Sequence, residues 1–322
     1  MINRIHSFFN PEQFQGWGKQ HKYFEGWYYK IVNKAETKAF AFIPGIAIEE
    51  SGQKHAFIQI LDGKKRTSEF IKFPGDSFKP KSGILQISIE GNKFLENSIH
   101  LDLPQAKGSL DFTGNIPWPK PFYSPGIMGP YAFVPFMECY HGIVSMDHAL
   151  TGELVIDGEQ IDFSDGRGYI EKDWGRSFPS AYTWMQSNHF SKPGISFKAS
   201  VAKIPWIRNS FVGFIAGLWY GNKLYRFTTY NRTRLISCVI NRNHVEITLE
   251  NKRHKLQVLA NRDHATELAS PILGLMDGRI EESMTSTIEV KLINKSSNSV
   301  IFHDEGRNVG LEVAGNIAEI VT

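Results

Sequence analysis

The stretch "GELVIDGEQIDFSDGRGYI", Gly152 to Ile170, decides the fold. Leu154 and Ile156, then Ile161 and Phe163, alternate with polar neighbours at the period of a strand that buries one face. Asp157-Gly158 separates the two runs, and glycine tolerates the positive φ that primed hairpin turns need, so the stretch predicts a tight antiparallel hairpin. The same grammar extends in both directions. "KAFAFIPGIAIEE" (Lys38–Glu50), "HAFIQILDG" (His55–Gly63) and "GILQISIEGNKFLENSIHLDL" (Gly83–Leu103) precede it. "SFKASVAKI" (Ser196–Ile204), "FVGFIAGLWYGNKLYRFTTYN" (Phe211–Asn231), "RLISCVINRNHVEITLENKRHKLQVLA" (Arg234–Ala260) and "STIEVKLINKSSNSVIFHDEGRNVGLEVAG" (Ser286–Gly315) follow. No βαβ alternation interrupts the meander, and the one helix signal, Asn10 capping Pro11, is soon ended by Gly16 and Gly18. The segment Ile116–Pro135 is too rich in Pro and Gly for a central strand and reads as a long ordered loop.

At 322 residues the chain suits two domains or one large β architecture. Hydrophobic residues make up 41% and charged residues 21%, the balance of a folded globular protein. A net charge of +3, with the basic residues scattered, leaves no electrostatic footprint for nucleic acid. Cys139 and Cys238 are too few for a disulfide framework, the N-terminus lacks an apolar secretory core, and the longest apolar run, Phe211–Tyr220, is about half of the roughly 20 residues a spanning helix needs. These features point to the cytoplasm. Aromatic content of 13% suits an aromatic-lined core or an apolar cavity.

Two motifs concentrate the chemistry: "YFEGWYYK" (Tyr23–Lys30) and "GYIEKDWGRSFPSAYTWMQSNHF" (Gly168–Phe190). Their shared order of Tyr, Glu and Trp suggests that each opens one of two tandem antiparallel β-barrels, residues 1–165 and 166–322. A closed eight-stranded barrel has no exposed edges and holds a single small ligand. There is no dinucleotide fingerprint, P-loop or serine-hydrolase elbow. "ECYHG" and "SMDHAL" place Glu138, Cys139, His141, Asp147 and His148 on strand faces without a metal-ligand spacing, so they read as polar strand residues, with neither metal nor cofactor expected.

Together the two motifs resemble the tocopherol cyclase family, with a more distant similarity to carotenoid hydratases and some fungal cyclases. The resemblance runs from Lys22 to "GLEVAGN" and implies an all-β fold of two lipocalin-like barrels with little helix. It also implies a redox-neutral reaction: an alkene in a prenylated hydroquinone or related isoprenoid is protonated and a ring hydroxyl traps the cation, closing a chromanol. That is isomerase chemistry of the intramolecular-lyase type. It requires a carboxylic acid that holds a proton, aromatic shielding of a cation, and polar groups that orient the phenol.

Asp173 is the first choice of acid. Burial beside Trp174 would raise its pKa, whereas pairing with Lys172 or Arg176 would make it structural. Strand alternation puts Tyr169, Glu171 and Asp173 on one face and Ile170, Lys172 and Trp174 on the other. Glu171 and Glu25 are the alternative carboxylates, and Glu25 shares its face with Tyr23, Trp27 and Tyr29. Trp27 suits the plug at the end of a lipocalin-type barrel. Further along, Trp184, Gln186 and Asn188 share one face, and Met185, Ser187 and His189 the other. Trp27, Trp174, Arg176, Trp184, Gln186, Asn188 and His189 form the expected substrate-binding set. The rival reading is a non-catalytic carrier of an isoprenoid or fatty ligand. The hydrophobic substrate class suggests contact with a membrane surface through Trp118, Phe122, Tyr123 and Ile127.

Overall fold

A computed structural model describes residues 2–322. Twelve strands form the first antiparallel sheet: β1 (Tyr23–Val32), β2 (Ala39–Ile48), β3 (Lys54–Asp62), β4 (Thr67–Pro74), β5 (Phe78–Pro80), β6 (Gln86–Ile89), β7 (Asn92–Leu95), β8 (Ser98–Asp102), β9 (Ala106–Thr113), β10 (Cys139–Ile156), β11 (Glu159–Asp162) and β12 (Arg167–Gly175). Their order is β4-β3-β2-β1-β12-β10-β9-β8-β7-β6-β5, with β11 on β10. Ten more form the second sheet: β13 (Ala181–Ser187), β14 (Ser196–Trp206), β15 (Asn209–Tyr220), β16 (Lys223–Thr228), β17 (Arg234–Ile240), β18 (His244–Glu250), β19 (His254–Asn261), β20 (Thr266–Ile272), β21 (Leu275–Asn294) and β22 (Ser299–Gly315). Here the order is β16-β15-β14-β13-β22-β21-β19-β18-β17, with β20 on β21.

The all-β expectation holds. The hairpin that opened the sequence reading is β10–β11, and its turn places Asp157 at φ 52° and Gly158 at φ 80°, the left-handed pair that a tight primed turn requires. Helix is confined to Ile2–Phe8 and three short 3-10 turns among the described residues. The helix precedes Asn10 rather than starting there, and the Asn10 side chain donates back to the carbonyl of His6 at 2.9 Å, at the helix's C-terminal end.

Each unit buries one core. In the first, alternate residues of β1 and β2 (Trp27, Tyr29, Ile31, Phe40, Phe42) join Ile87, Phe94, Ile99 and Leu110 from the far end of the sheet in a single cluster. The sheet therefore wraps round its own interior. The second cluster has Met185, Phe197, Val258, Val290 and Leu311 at its heart. Neither hydrogen-bond ladder closes: β4 and β5 remain the ends of the first sheet, β16 and β17 those of the second. The expected closed barrels are thus curled open sheets.

The units divide after Phe178 rather than at Asp165, and Ala269–Arg279 returns to the first. The reason lies in pairing. "YFEGWYYK" and "GYIEKDWG" do not open separate barrels; they are β1 and β12, adjacent strands of one sheet.

Candidate active site on the first sheet

Three neighbouring strands, β1, β12 and β10, build the site by register. Glu25 lies opposite Trp174 and Trp27 opposite Lys172, whereas Gly26 and Tyr28 lie opposite Asp173 and Glu171. On the other side of β12, Tyr140, His141 and Gly142 lie opposite Trp174, Asp173 and Lys172. Directly opposed residues share a face, so the carboxylates are sorted onto two sides.

On the core face, Glu25 and Lys172 form an ion pair whose side chains are both 0% exposed. The Glu25 carboxylate accepts from the backbone N–H of Gln15 at 2.9 and 3.0 Å, from that of Gly16 at 3.0 Å, and from the Tyr23 hydroxyl at 2.5 Å. Lys172 also donates to the Gln13 carbonyl at 2.7 Å, and its ammonium lies 4.4 Å and 4.6 Å from the Trp27 and Trp174 ring centres. Burial pulls the Lys172 ammonium below the ordinary lysine range, opposed by the charge on Glu25. Trp27 is fully buried and donates from Nε1 to the Glu12 carbonyl at 2.9 Å. Several of these bonds tie residues 12–16 across this end of the sheet. Glu25, Lys172 and Trp27 are thus engaged in bonds within this end of the sheet, and Glu25 does not meet Asp173 or Glu171.

The opposite face carries His141, Glu171 and Asp173. His141 Nδ1 lies 2.8 Å from Asp173 Oδ1, and Nε2 lies 3.4 Å from Glu171 Oε2. The Tyr169 hydroxyl donates to Glu171 Oε2, and the Cys139 thiol lies 3.8 Å from Asp173 Oδ1. Burial first, and the Glu171 charge second, push the Tyr169 hydroxyl well above its ordinary range. Burial and then Asp173 do the same to the Cys139 thiol. Both stay protonated and can only stabilise the carboxylates as donors. Asp173 keeps an uncommitted oxygen: Oδ2 takes no hydrogen bond among the described residues, and its side chain is 27% exposed against 6% for Glu171.

Two expected neighbours of Asp173 are elsewhere. Arg176 is exposed, its backbone bonds Glu138 and Gly274, and no ion pair joins it to Asp173. Trp174 points to the opposite face, stacked on Tyr140 with centroids 5.5 Å apart. The partner of Asp173 is His141, a residue the sequence reading left without a role. Alternation puts it on one face with Cys139, but nothing local signals that β10 lies beside β12.

The set of one imidazole and two carboxylates matches the donors of a first-row divalent ion, and the three ligand atoms lie within 4.8 Å of one another. The ring, however, turns opposite nitrogens to the two acids. That geometry aims the two nitrogens at different carboxylates instead of converging them on one point.

Asp147 and His148 form a different cluster. Asp147 is fully buried and paired with Arg167. His148 approaches Ser145 Oγ at 3.1 Å, rests against Gly168, where a Cβ would meet its ring at 2.2 Å, and packs on Phe112 at 4.5 Å. Burial holds it neutral, with a pKa of about 3.

The remaining expected residues belong to the second unit. Trp184 and Gln186 lie opposite Ser200 and Lys198 on β14 and Glu312 and Gly310 on β22, on the face away from the core, while Met185 enters the core. The alternation stops at Ser187, whose hydroxyl donates to the Arg307 carbonyl at 2.6 Å. Asn188 and His189 follow it, both buried, and His189 forms an isolated bridge with Arg307.

A profile described as Tocopherol cyclase-like matches residues 113–315, well over half the chain. The chain belongs to this family. A probable tocopherol cyclase of the chloroplast from Oryza sativa subsp. japonica is 28% identical over 152 residues, 45% of this chain and 32% of that protein. The chloroplastic tocopherol cyclase of Zea mays is 26% identical over 201 residues, 58% of this chain and 41% of that one. The tocopherol cyclase-like chain thus spans less than half the length of either plant relative. Among solved structures, CghA with Sch210972 has a TM-score of 0.55 at 12% identity, covering 92% of this chain and 89% of that one. Kievitone hydratase from Nectria haematococca has a TM-score of 0.51 at 12% identity, covering 91% and 89%. These likenesses establish a shared fold.

Proposed function

We propose that the chain is an enzyme that protonates an alkene in a hydrophobic isoprenoid substrate and closes a ring on the resulting cation, with a prenylated hydroquinone giving a chromanol as the specific reading. The observation that carries it is the open Oδ2 of Asp173, set beside a histidine whose two ring nitrogens face two carboxylates. Asp173 delivers its proton to the less substituted alkene carbon. The tertiary cation is captured by the phenol oxygen, and the phenolic proton returns to the Asp173–His141–Glu171 group. Substrate and product are isomers, no electrons leave the system, and the acid is regenerated. Positioned acids of this kind contribute about 10²–10⁴-fold to a rate. Support for this substrate class comes from the family and from the two plant relatives named tocopherol cyclase.

Incubation with prenyl hydroquinones in D₂O, followed by mass spectrometry, tests the reaction. One deuterium on the carbon next to the new ring-bearing centre is expected. Lipid that co-purifies and is recovered unchanged with every hydroquinone would identify a carrier instead.

The same reading has the chain collecting its substrate at a membrane surface, although no helix among the described residues is long and apolar enough to cross one. Trp118 and Ile127, expected to make this contact, are 1% and 0% exposed and pack inward, which leaves Phe122 at 79% and Tyr123 at 66%. Flotation with neutral liposomes that is reduced by Phe122→Ala with Tyr123→Ala supports the contact. Absence of flotation for the wild type refutes it.

A further inference from the structure

A pocket of about 290 Å³ opens in the second unit, remote in sequence from the acid residues, and is independent of the function proposed above. Its lining includes Leu311, Val313 and Ser283. Leu311 belongs to the core cluster and Val313 packs against it, while Ser283 lies opposite Leu311 in the ladder, so the pocket bottoms on the core face of the sheet. Two segments form its rim: the β17–β18 turn that carries Arg242, and the chain after β19 that carries Arg262, Asp263 and His264. The segments are joined, since Arg262 donates from its backbone to the Asn243 carbonyl at 2.8 Å and from Nη1 to the Asn241 carbonyl at 2.9 Å.

Hydrogen-bond accounting shows what the pocket lacks. Ser283 Oγ accepts from the backbone N–H of Thr285 and Ser286, each at 3.2 Å, and from the Ser286 hydroxyl at 2.9 Å. Its own proton finds no acceptor among the described residues, although the side chain is only 3% exposed. Arg242 bonds no protein group among those residues, and Arg262 spends one terminal nitrogen. Asp263, by contrast, already accepts from Thr285 Oγ1 at 2.6 Å and from the His264 backbone at 2.7 Å. That leaves Glu281 as the open carboxylate of the lining, against donors from Arg242, Arg262 and Ser283. The missing partner is an acceptor-rich anion with an apolar body.

We infer that this pocket binds a small monocarboxylate with a short apolar chain. Its carboxylate lies between the guanidinium groups of Arg242 and Arg262 and takes the Ser283 proton. Its chain covers Leu311 and Val313. Planar guanidinium forks match a carboxylate in geometry as well as charge. The volume lies just below the roughly 300–1,000 Å³ range of small-molecule sites, which favours a body of modest length.

Calorimetric titration of the whole chain with octanoate at pH 7 tests this. A saturable one-to-one isotherm is expected, with 1-octanol and inorganic phosphate each at least tenfold weaker, because each supplies half of the recognition. Arg242→Gln, at an exposed position, should weaken octanoate at least tenfold without moving the melting temperature. Glu281→Gln should tighten it severalfold by removing a like charge. Asp173→Asn should leave it unchanged. The inference is overturned if octanol or phosphate binds as well as octanoate, if Arg242→Gln has no effect, or if Asp173→Asn abolishes binding and so places the ligand on the first sheet. Weakening by Glu281→Gln also overturns it, in favour of a zwitterion that needs that carboxylate.

Discussion

Glu171, Lys172 and Asp173 are consecutive residues on one strand, yet they serve opposite ends. Lys172 turns to the core face, where Glu25, a backbone carbonyl and two indole rings consume everything its ammonium offers. Glu171 and Asp173 turn the other way and meet His141, whose two nitrogens face two acids. The first arrangement is closed and has no valence left for a substrate. The second retains an open carboxylate oxygen on Asp173. Burial and bonding go together here: the most deeply buried carboxylate of the two motifs, Glu25, is also the one with the most hydrogen bonds within the sheet.

The comparison can be broken at several points, beginning with the largest effect. Asp173→Asn retains shape but not the transferable proton, so turnover should fall about 10²–10⁴-fold with ligand affinity and melting temperature nearly unchanged. A variant that still cyclises at close to the wild-type rate would remove Asp173 from the reaction and leave Glu171 as the acid to test.

Glu25→Gln should do the reverse. It strands the Lys172 ammonium in the core and should cost about 3–5 kcal/mol of stability, read as a lower urea midpoint. Adding Lys172→Met should recover much of the loss. A Glu25→Gln protein with unaltered stability and abolished turnover would exchange the roles of the two faces.

His148, also buried, sharpens the contrast through pH. Its folded pKa of about 3 lies below the ordinary 6.5, so as pH falls from 6.5 the unfolded chain takes up a proton that the folded chain refuses. Its contribution is complete above 6.5 and is lost toward pH 3 at about 1.4 kcal/mol per pH unit. Melting curves across that window should be steeper for the wild type than for His148→Leu. Parallel curves would mean that His148 is protonated in the folded state.

The smallest effect belongs to Arg176. Exposed and unpaired with Asp173, it should tolerate Arg176→Gln within about 0.5 kcal/mol and with unchanged activity. A large loss of either would restore the salt bridge that the sequence reading considered.

Much of the fold was legible because its signals are local. The Asp157-Gly158 turn, the period-two alternation of β10 to β12 and the proline-rich loop after Ile116 all rest on a residue's own φ preferences or on its immediate neighbours. The division into units was less legible. The similarity of "YFEGWYYK" and "YIEKDWG" suggested duplicated domain openings, but both are adjacent strands of one sheet. The second-unit residues Trp184 and Gln186 share the predicted face, whereas Asn188 and His189 lie beyond the strand, where alternation no longer applies.

By itself, then, the sequence determined which side chains share a face: Tyr169 with Glu171 and Asp173, Lys172 with Trp174, Cys139 with His141. The period of a strand is a property of the backbone and needs no partner. Tertiary structure decided which faces meet. β1 lies beside β12 in a register that hands Glu25 to Lys172, and β10 lies on its other flank in a register that hands His141 to Asp173. Pairing and register between distant segments are set by the burial of a whole sheet face, and a slip of one residue would send each carboxylate to the opposite side.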